Sequence, residues 1–139
     1  MSQADRQPDI DAFLAGTSFA VVGASQDREK YGNKVLRAYL ASGRRAFPVN
    51  PKLDEVEGQA CYPDLASLPV PVHGVSIITP PAVTERIVEQ AAAAGLRRLW
   101  MQPGAESDKA IARAGELGLK LIHSGPCVLV ALRLEADSR

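Results

Sequence analysis

The sequence predicts an α/β domain in which a parallel sheet of five strands is covered by helices on both faces. Three features of the sequence indicate this class. Short apolar runs alternate with segments of helical periodicity along the chain. The apolar runs are continuous, as is typical of strands that are buried on both faces. The intervening segments are long enough for the right-handed crossovers that join parallel strands.

The first part of the chain predicts a helix, a strand and a second helix. Residues 10–14 are amphipathic and are followed by Gly16, which favours a short opening helix. Phe19–Val22 is a continuous apolar run and forms the first predicted strand. Residues 32–43 place apolar side chains at helical spacing and end on a glycine, a common C-terminal signal of helices.

The middle of the chain repeats this alternation. Residues 45–51, RAFPVNP, predict a second strand that ends at its last proline, and residues 61–69 predict a short helix between prolines. Val75–Thr79 is the third apolar run. The prolines at 80–81 suit the start of a helix, which then continues over residues 82–95 to a closing glycine.

The last part adds two strands and a helix between them. Residues 97–102 and 119–123 are the fourth and fifth predicted strands, residues 106–118 form the helix, and residues 124–132 close the domain. The resulting prediction is a Rossmann-like, doubly wound parallel sheet in three α/β/α layers, with strand order 3-2-1-4-5.

Composition limits the possible functions. The 139 residues suit one domain, with a core over about residues 17–132. Sixteen lysines and arginines balance sixteen aspartates and glutamates, which argues against a broad surface for nucleic acid or anionic lipid. No apolar stretch is long enough for a membrane span, and Cys61 and Cys127 lack the spacing of metal ligands. We therefore expect a cytoplasmic protein with no metal site.

A ligand site is expected where the strand order reverses, at the carboxyl ends of the strands. In the loop after the first strand, Gly23 permits a sharp turn, and Ser25 offers a hydroxyl and a backbone N–H. Gly32 and Asn33 open the next helix, whose N-terminus attracts anions, and Lys30 can add positive charge. The alternative interpretation is that both glycines only turn the chain.

The loop after the second strand distinguishes between nucleotide ligands. NAD-binding domains usually have an acidic residue there for the ribose hydroxyl, whereas this chain has Asn50, Pro51 and Lys52. A lysine at this place favours a phosphorylated ribose, as in NADP or coenzyme A, although it can also be a surface charge. In the third loop Thr79, Pro80 and Val83 form either a stiff ligand wall or simply a helix start.

Six stretches in this order resemble the small single-domain CoA-binding proteins. Their fold is shared with the CoA-binding domain of succinyl-CoA synthetase α-subunits and of ADP-forming acetyl-CoA synthetases. The stretches are VVGAS, GNKV, FPVNPK, EGQACYPDLASLP, SIITPP and LWMQPGAES, with HSGPCVLV as a weaker match. The likeness extends from about Phe19 to Val130. Short-chain relatives often carry an arginine or another polar residue where this chain has Tyr31-Gly32-Asn33.

The resemblance implies that coenzyme A binds across the carboxyl edge of the sheet. It assigns phosphate binding to the backbone of Gly23, Ala24 and Ser25, with Asn33 beside it. Asn50, Pro51 and Lys52 would then lie near the adenosine, with Lys52 toward its 3′-phosphate. Thr79, Pro80 and Val83 would line the adenine or the pantetheine.

The sequence favours binding over catalysis. It contains no nucleophile–base order, metal cluster or Gly-Lys-Ser motif that would indicate a known reaction. His123 is interpreted as structural, Cys127 as a small buried hydrophobe, and Glu106 as a helix cap. We therefore expect a non-catalytic CoA or acyl-CoA binding protein, a sensor, or a partner subunit of an acyl-CoA enzyme. Such a role is compatible with a homo-oligomer. The alternative is an NADP-binding oxidoreductase or redox sensor.

Overall fold

The computed structural model describes residues 3–137, which alternate between helices and strands. In chain order the elements are α1 (Gln3–Leu14), β1 (Ser18–Val22), α2 (Tyr31–Ala41), β2 (Arg45–Val49), β3 (Glu55–Val56), β4 (Gln59–Ala60), a 3₁₀ helix (Leu65–Ser67), β5 (Gly74–Ile77), α3 (Pro81–Ala93), β6 (Arg98–Met101), α4 (Asp108–Glu116), β7 (Lys120–Ile122) and α5 (Val128–Asp137). The predicted α/β class and all five predicted strands are confirmed.

The main sheet has five parallel strands in the order β2-β1-β5-β6-β7. Numbered along the chain, its strands lie 2-1-3-4-5, so the predicted order 3-2-1-4-5 is wrong. Both orders have the same alternation of strands and helices, and they differ only in which strand pairs with β1. Here β5 pairs with β1, with Val22 opposite Ile77, and β2 lies at the outer edge. The strand order therefore reverses between β1 and β5. In sheets of this kind the ligand crevice lies at the carboxyl ends of the two strands where the order reverses.

Two hydrophobic cores lie on opposite faces of this sheet, because alternate residues of each strand point to opposite sides. On one face Ala20 and Val22 of β1 pack toward α3, α4 and the 3₁₀ helix. On the other face Phe19 and Val21 pack toward α1, α2 and α5. All four of these β1 side chains are buried. The predicted three-layer α/β/α arrangement is thus confirmed.

A small antiparallel hairpin, β3–β4, was not predicted from the sequence. Its strands have two residues each, Glu55 pairs with Ala60, and Val56 pairs with Gln59. The turn residues Glu57 and Gly58 both have positive φ values, of 51° and 77°. This combination is typical of the tight turns that match the twist of a hairpin. Strands so short and polar have no periodicity that distinguishes them from a loop.

The opening helix is longer than predicted, because α1 begins well before residue 10. Phe13 anchors it, with its ring 5.3 Å from that of Phe19 and edge-on to Trp100 at 5.2 Å. A side chain at Gly74 would collide with the Phe13 ring, so this glycine allows the helix to approach β5. His73 is half-buried, and its Nε2 lies 2.9 Å from the carbonyl oxygen of Ala12 in this helix.

Within residues 3–137, no helix combines the length and the hydropathy that crossing a membrane would require. The closing segment contains α5, which packs against α2. Trp100 and Met101 are fully buried, as their position in an apolar strand predicted.

Candidate functional site

The loop between β1 and α2 (residues 23–30, the β1–α2 loop) begins with a turn that requires glycine. Gly23 has a φ of +94°, and a β-carbon there would lie 3.2 Å from the carbonyl carbon of Ile78. Gly32 is still more constrained, since a β-carbon at that residue would lie 2.1 Å from the carbonyl oxygen of Gly23. The two glycines therefore bring the start of α2 directly against the loop. They do more than turn the chain, because Gly32 is needed for this close approach.

Side chains hold three carbonyl groups of the β1–α2 loop. The Nδ2 of Asn50 donates to the carbonyl oxygen of Ala24 at 2.9 Å, and the Nδ2 of Asn33 donates to that of Ser25, also at 2.9 Å. Further along, Nη2 of Arg37 donates to the carbonyl oxygen of Arg28 at 3.0 Å. The loop is thus anchored by donors from α2 and from the end of β2.

These anchors determine where the backbone N–H groups of the loop point. In a planar trans peptide the C=O and the following N–H point in opposite directions. With the carbonyls of Ala24 and Ser25 turned toward Asn50 and Asn33, the N–H groups of Ser25 and Gln26 are turned away from those side chains. Neither N–H has a partner among the residues that the structure describes. Successive backbone N–H groups in a turn, when they lack protein partners, are donors that an anion can engage.

The N-terminus of α2 adds to the same positive region. Its N-cap residue, Lys30, makes no side-chain capping bond, unlike Ser107, whose Oγ accepts from the N–H of Ala110 at the start of α4. The N–H groups of Tyr31 and Gly32 are donors that a helix N-terminus leaves without intrahelical partners. Lys30 itself is exposed. A helix end of this kind favours an anionic ligand.

The second loop joins the first through Asn50. The Oδ1 of Asn50 accepts from the N–H of Lys52 at 2.9 Å while its Nδ2 binds the β1–α2 loop. This side chain therefore fixes the turn that carries Pro51 and Lys52, which are both exposed. The structure brings the predicted residues 23–25, 32–33 and 50–52 together at one edge of the sheet.

The third loop lies across the crevice. Thr79 is nearly buried and its hydroxyl lies 2.8 Å from that of Thr84, so the two hydroxyls bind each other at the start of α3. Pro80 is the N-cap residue of α3 and is exposed, whereas Val83 is half-buried against the core. A β-carbon at Gly23 would lie 3.3 Å from the backbone nitrogen of Thr79, so the first and third loops are in contact.

The β3–β4 hairpin contacts this site, which the sequence did not reveal. Glu57 in its turn accepts from the Nδ2 of Asn33 at 3.0 Å, and its Oε2 lies 3.4 Å from the Nε of Arg28. Gln26 donates from Nε2 to the carbonyl oxygen of Glu55 at 2.8 Å. The only sequence signal for this element was the glycine at 58, which indicates a turn.

A partly buried polar cluster lies beside the loop, under the start of α5. The hydroxyl of Tyr31 donates to Oε1 of Gln102 at 3.2 Å, and the same oxygen accepts from the N–H of Val128 at 2.8 Å. The pKa of Tyr31 is raised well above its usual value, mainly by burial and to a smaller extent by a hydrogen bond with the Cys127 thiol. Tyr31 therefore remains a neutral donor. Cys127 is half-buried, not fully enclosed as its interpretation as a core residue implied.

A second polar cluster occupies the end of β7. The Oε2 of Glu106 accepts from the backbone N–H of Ser124, and the Nδ1 of His123 lies 2.7 Å from Oγ of Ser124. The interpretation of Glu106 as a helix cap is wrong, since Ser107 caps α4 instead. Among the described residues, no group of three or more His, Cys, Asp or Glu side chains is arranged to hold a metal ion.

Known proteins with similar sequences are named for CoA chemistry. A curated relative, an ADP-forming acetate–CoA ligase I of Archaeoglobus fulgidus, is 28% identical over 127 residues, which are 84% of this chain and 18% of that protein. The chain spans about a fifth or less of the length of the curated relatives it matches. These relatives are named for CoA chemistry, so the NADP-dependent alternative gains no support from them.

Solved structures agree with the fold described above. A conserved hypothetical protein from Pyrococcus furiosus is 38% identical, with a TM-score of 0.78 over 82% of this chain and 97% of that chain. An acetyl-coenzyme A synthetase 1 of Ca. Korarchaeum cryptofilum is 29% identical, with a TM-score of 0.68 over 76% of this chain and 25% of that chain. The family model described as CoA binding domain matches residues 17–133. The chain belongs to this family of CoA-binding domains, as its sequence motifs indicated.

Proposed function

We propose that this domain binds coenzyme A, free or as an acyl-CoA, with the diphosphate of the ligand at the β1–α2 loop. The observation that carries this proposal is the direction of the loop's peptide groups. Asn50 and Asn33 hold the carbonyls of Ala24 and Ser25, so the next N–H groups face away and lack partners among the described residues. A diphosphate supplies the acceptors that these donors and the start of α2 require.

The remaining predicted residues suit the other parts of the ligand. Lys52 is exposed on a turn that Asn50 ties to the β1–α2 loop, which supports a role as a point charge for the 3′-phosphate of the adenosine. Pro51 would lie beside the adenosine. Thr79, Pro80 and Val83 border the crevice between β1 and β5, and we assign them to the adenine or the pantetheine. Gly23, Gly32 and Lys30 complete the proposed phosphate site.

We further propose that the chain acts as one CoA-binding domain without catalysis of its own, with a core over about residues 17–132. It would serve as a sensor or as a partner of an acyl-CoA enzyme. The support for a partner comes from the lengths of the curated relatives, which are named as CoA ligases. They are at least about five times longer than the region that matches this chain, so most of each ligase lies outside that region. Binding CoA without turnover in the absence of other proteins is the expected behaviour.

The direct test is a thermal unfolding titration with CoA and, separately, with NADPH. A ligand at a hundredfold excess over its Kd raises the free energy of unfolding by about 2.7 kcal/mol, which shifts the midpoint upward. We expect this shift with CoA alone. A shift with NADPH and none with CoA would refute the proposal.

The assignment of Lys52 has its own test. CoA and 3′-dephospho-CoA differ only in the phosphate that Lys52 is proposed to bind. In the Lys52→Ala variant we expect the preference for CoA to shrink, because a charge-assisted contact to phosphate is lost. An unchanged preference in the variant would show that another group binds the 3′-phosphate. Arg133→Ala, on the exposed side of α5, is a control with the same loss of charge.

A further inference from the structure

Glu57 occupies an unfavourable backbone conformation in the turn of the β3–β4 hairpin. Its φ of +51° lies in the left-handed region, which residues other than glycine seldom adopt. Its side chain is only 23% exposed and points toward the β1–α2 loop. There its Oε2 accepts a hydrogen bond from Nδ2 of Asn33 and forms an ion pair with Nε of Arg28. A glycine would fit this turn position with less strain, so the carboxylate itself is the feature that needs a reason.

The carboxylate completes the hydrogen bonding of Asn33, which is fully buried. One hydrogen of its Nδ2 binds the carbonyl oxygen of Ser25, and the other binds Glu57. Its Oδ1 accepts from Nε of Arg37 at 2.7 Å. An amide whose two donors and whose acceptor are all engaged has one orientation. Glu57 therefore fixes the amide that holds the carbonyl of Ser25.

We infer that Glu57 is a positioning residue for phosphate binding, through which the β3–β4 hairpin sets the direction of the loop's N–H groups. This inference rests on the proposed function, since it concerns the same phosphate site. Glu57 acts through Asn33: the carboxylate holds the amide, the amide holds the Ser25 carbonyl, and the N–H of Gln26 is thereby turned outward. The hairpin supports the same loop through the bond from Gln26 to the carbonyl oxygen of Glu55.

The negative charge of Glu57 argues against a purely electrostatic role in binding a diphosphate. A carboxylate close to a diphosphate repels it, and this repulsion would weaken binding. Arg28, 3.4 Å away through its Nε, offsets part of the negative charge. The hydrogen-bond acceptor, which an amide can also supply, is therefore the property that binding requires. This reasoning makes the variants Glu57→Gln and Glu57→Ala the decisive pair.

The experiment measures the affinity for CoA by isothermal titration calorimetry in the wild type and in three variants. We expect Glu57→Ala to bind about tenfold more weakly, as for the loss of one ordered hydrogen bond to a charged group. Glu57→Gln should stay within about threefold of the wild type, because its amide oxygen accepts from Asn33. Glu116→Ala, at an exposed position of α4 with the same change in charge, is the control and should bind as the wild type does.

A fourth variant separates binding from folding. Glu57→Gly removes the side chain and also relieves the strain at positive φ, so it should fold at least as well as Glu57→Ala while binding CoA equally weakly. Equal affinities of the wild type, Glu57→Ala and Glu57→Gly would overturn the inference and leave the proposed function standing. A loss in Glu57→Gln as large as that in Glu57→Ala would overturn it too. A wild-type protein that does not bind CoA would refute both.

Discussion

Gly32 lies against the carbonyl oxygen of Gly23 so closely that a β-carbon at residue 32 would be 2.1 Å from that oxygen. No real β-carbon approaches a backbone atom to this distance, so any side chain at residue 32 must push α2 away from the β1–α2 loop. The separation of helix and loop would also move the N–H groups that the two contribute. This contact links the packing of the domain to its proposed ligand site.

We expect Gly32→Ala to lower the free energy of unfolding by about 1–3 kcal/mol, the usual cost of forcing extra atoms into a packed site. The affinity for CoA should fall at the same time. Gly115→Ala is the matched control, since Gly115 lies within α4 with no atom near its would-be β-carbon. That variant should gain about 0.4–1 kcal/mol. Urea unfolding measures the unfolding free energies of the two variants. A Gly32→Ala variant that is as stable as the wild type and binds CoA normally would contradict the prediction.

Tyr39→Phe should destabilise the domain without changing ligand binding. The hydroxyl of Tyr39 lies 2.6 Å from that of Ser76 and both residues are buried, so the substitution leaves Ser76 without its partner. The expected cost is about 1–3 kcal/mol of unfolding free energy. In the double variant with Ser76→Ala both partners are gone, and part of this cost should be recovered. Full additivity of the two single changes would mean that the hydroxyls do not interact.

The thiol of Cys61 should make stability depend on pH in the alkaline range. Burial raises its pKa, so the folded state holds the proton more tightly than the unfolded state does. Its contribution is fully present below the unfolded pKa of about 8.5 and is lost as the pH rises through the folded value. Unfolding free energies measured between pH 7 and pH 10 test this effect. In Cys61→Ala, the decrease of the unfolding free energy with rising pH should be smaller than in the wild type. Slow alkylation of the native thiol at pH 8.5 is a second expected sign.

Arg44 should be the main anchor of α5. Its guanidinium forms two hydrogen bonds to the carboxylate of Glu135, at 2.8 and 2.7 Å, and another to the carbonyl oxygen of Leu14 at 2.8 Å. The carboxylate raises the pKa of Arg44, so the pair remains charged. Arg44→Lys keeps the charge but loses the fork geometry, and we expect a loss of about 1.5–3 kcal/mol. Arg133→Ala, at an exposed position of α5, should change stability little. Fluorescence of the buried Trp100 follows both unfolding transitions.

The strands and the turn after β1 could be predicted because they depend on local sequence. The apolar run Phe19–Val22 specifies a buried strand, and Gly23 and Gly32 indicate a turn and a helix start. The family motifs then placed Asn50 and Lys52 near the same site. Each of these inferences needs only a few neighbouring residues and the rule that loops meet at one edge of a parallel sheet.

The strand order and the hairpin depend on contacts between residues far apart in sequence. Whether β5 pairs with β1, as observed, or with β2, as predicted, does not alter the alternation of elements, so the pattern could not decide the strand order. The bond between Asn33 and Glu57 joins residues 24 positions apart. Asn33 could be chosen as a helix-start residue, but not as the amide that orients the loop. The role of Glu57 was missed because a lone glutamate before a glycine resembles any surface turn.

The side-chain anchors of the β1–α2 loop also bear on the rate at which a ligand is captured. A loop that is already fastened loses little conformational freedom when its partner arrives, so no slow ordering step should precede tight contact. We therefore expect association to follow a single exponential whose rate rises linearly with ligand concentration. Loosening the anchors should act mostly on the lifetime of the complex, because related complexes differ chiefly in how fast they dissociate. The asparagines at 33 and 50 would then govern residence time rather than encounter.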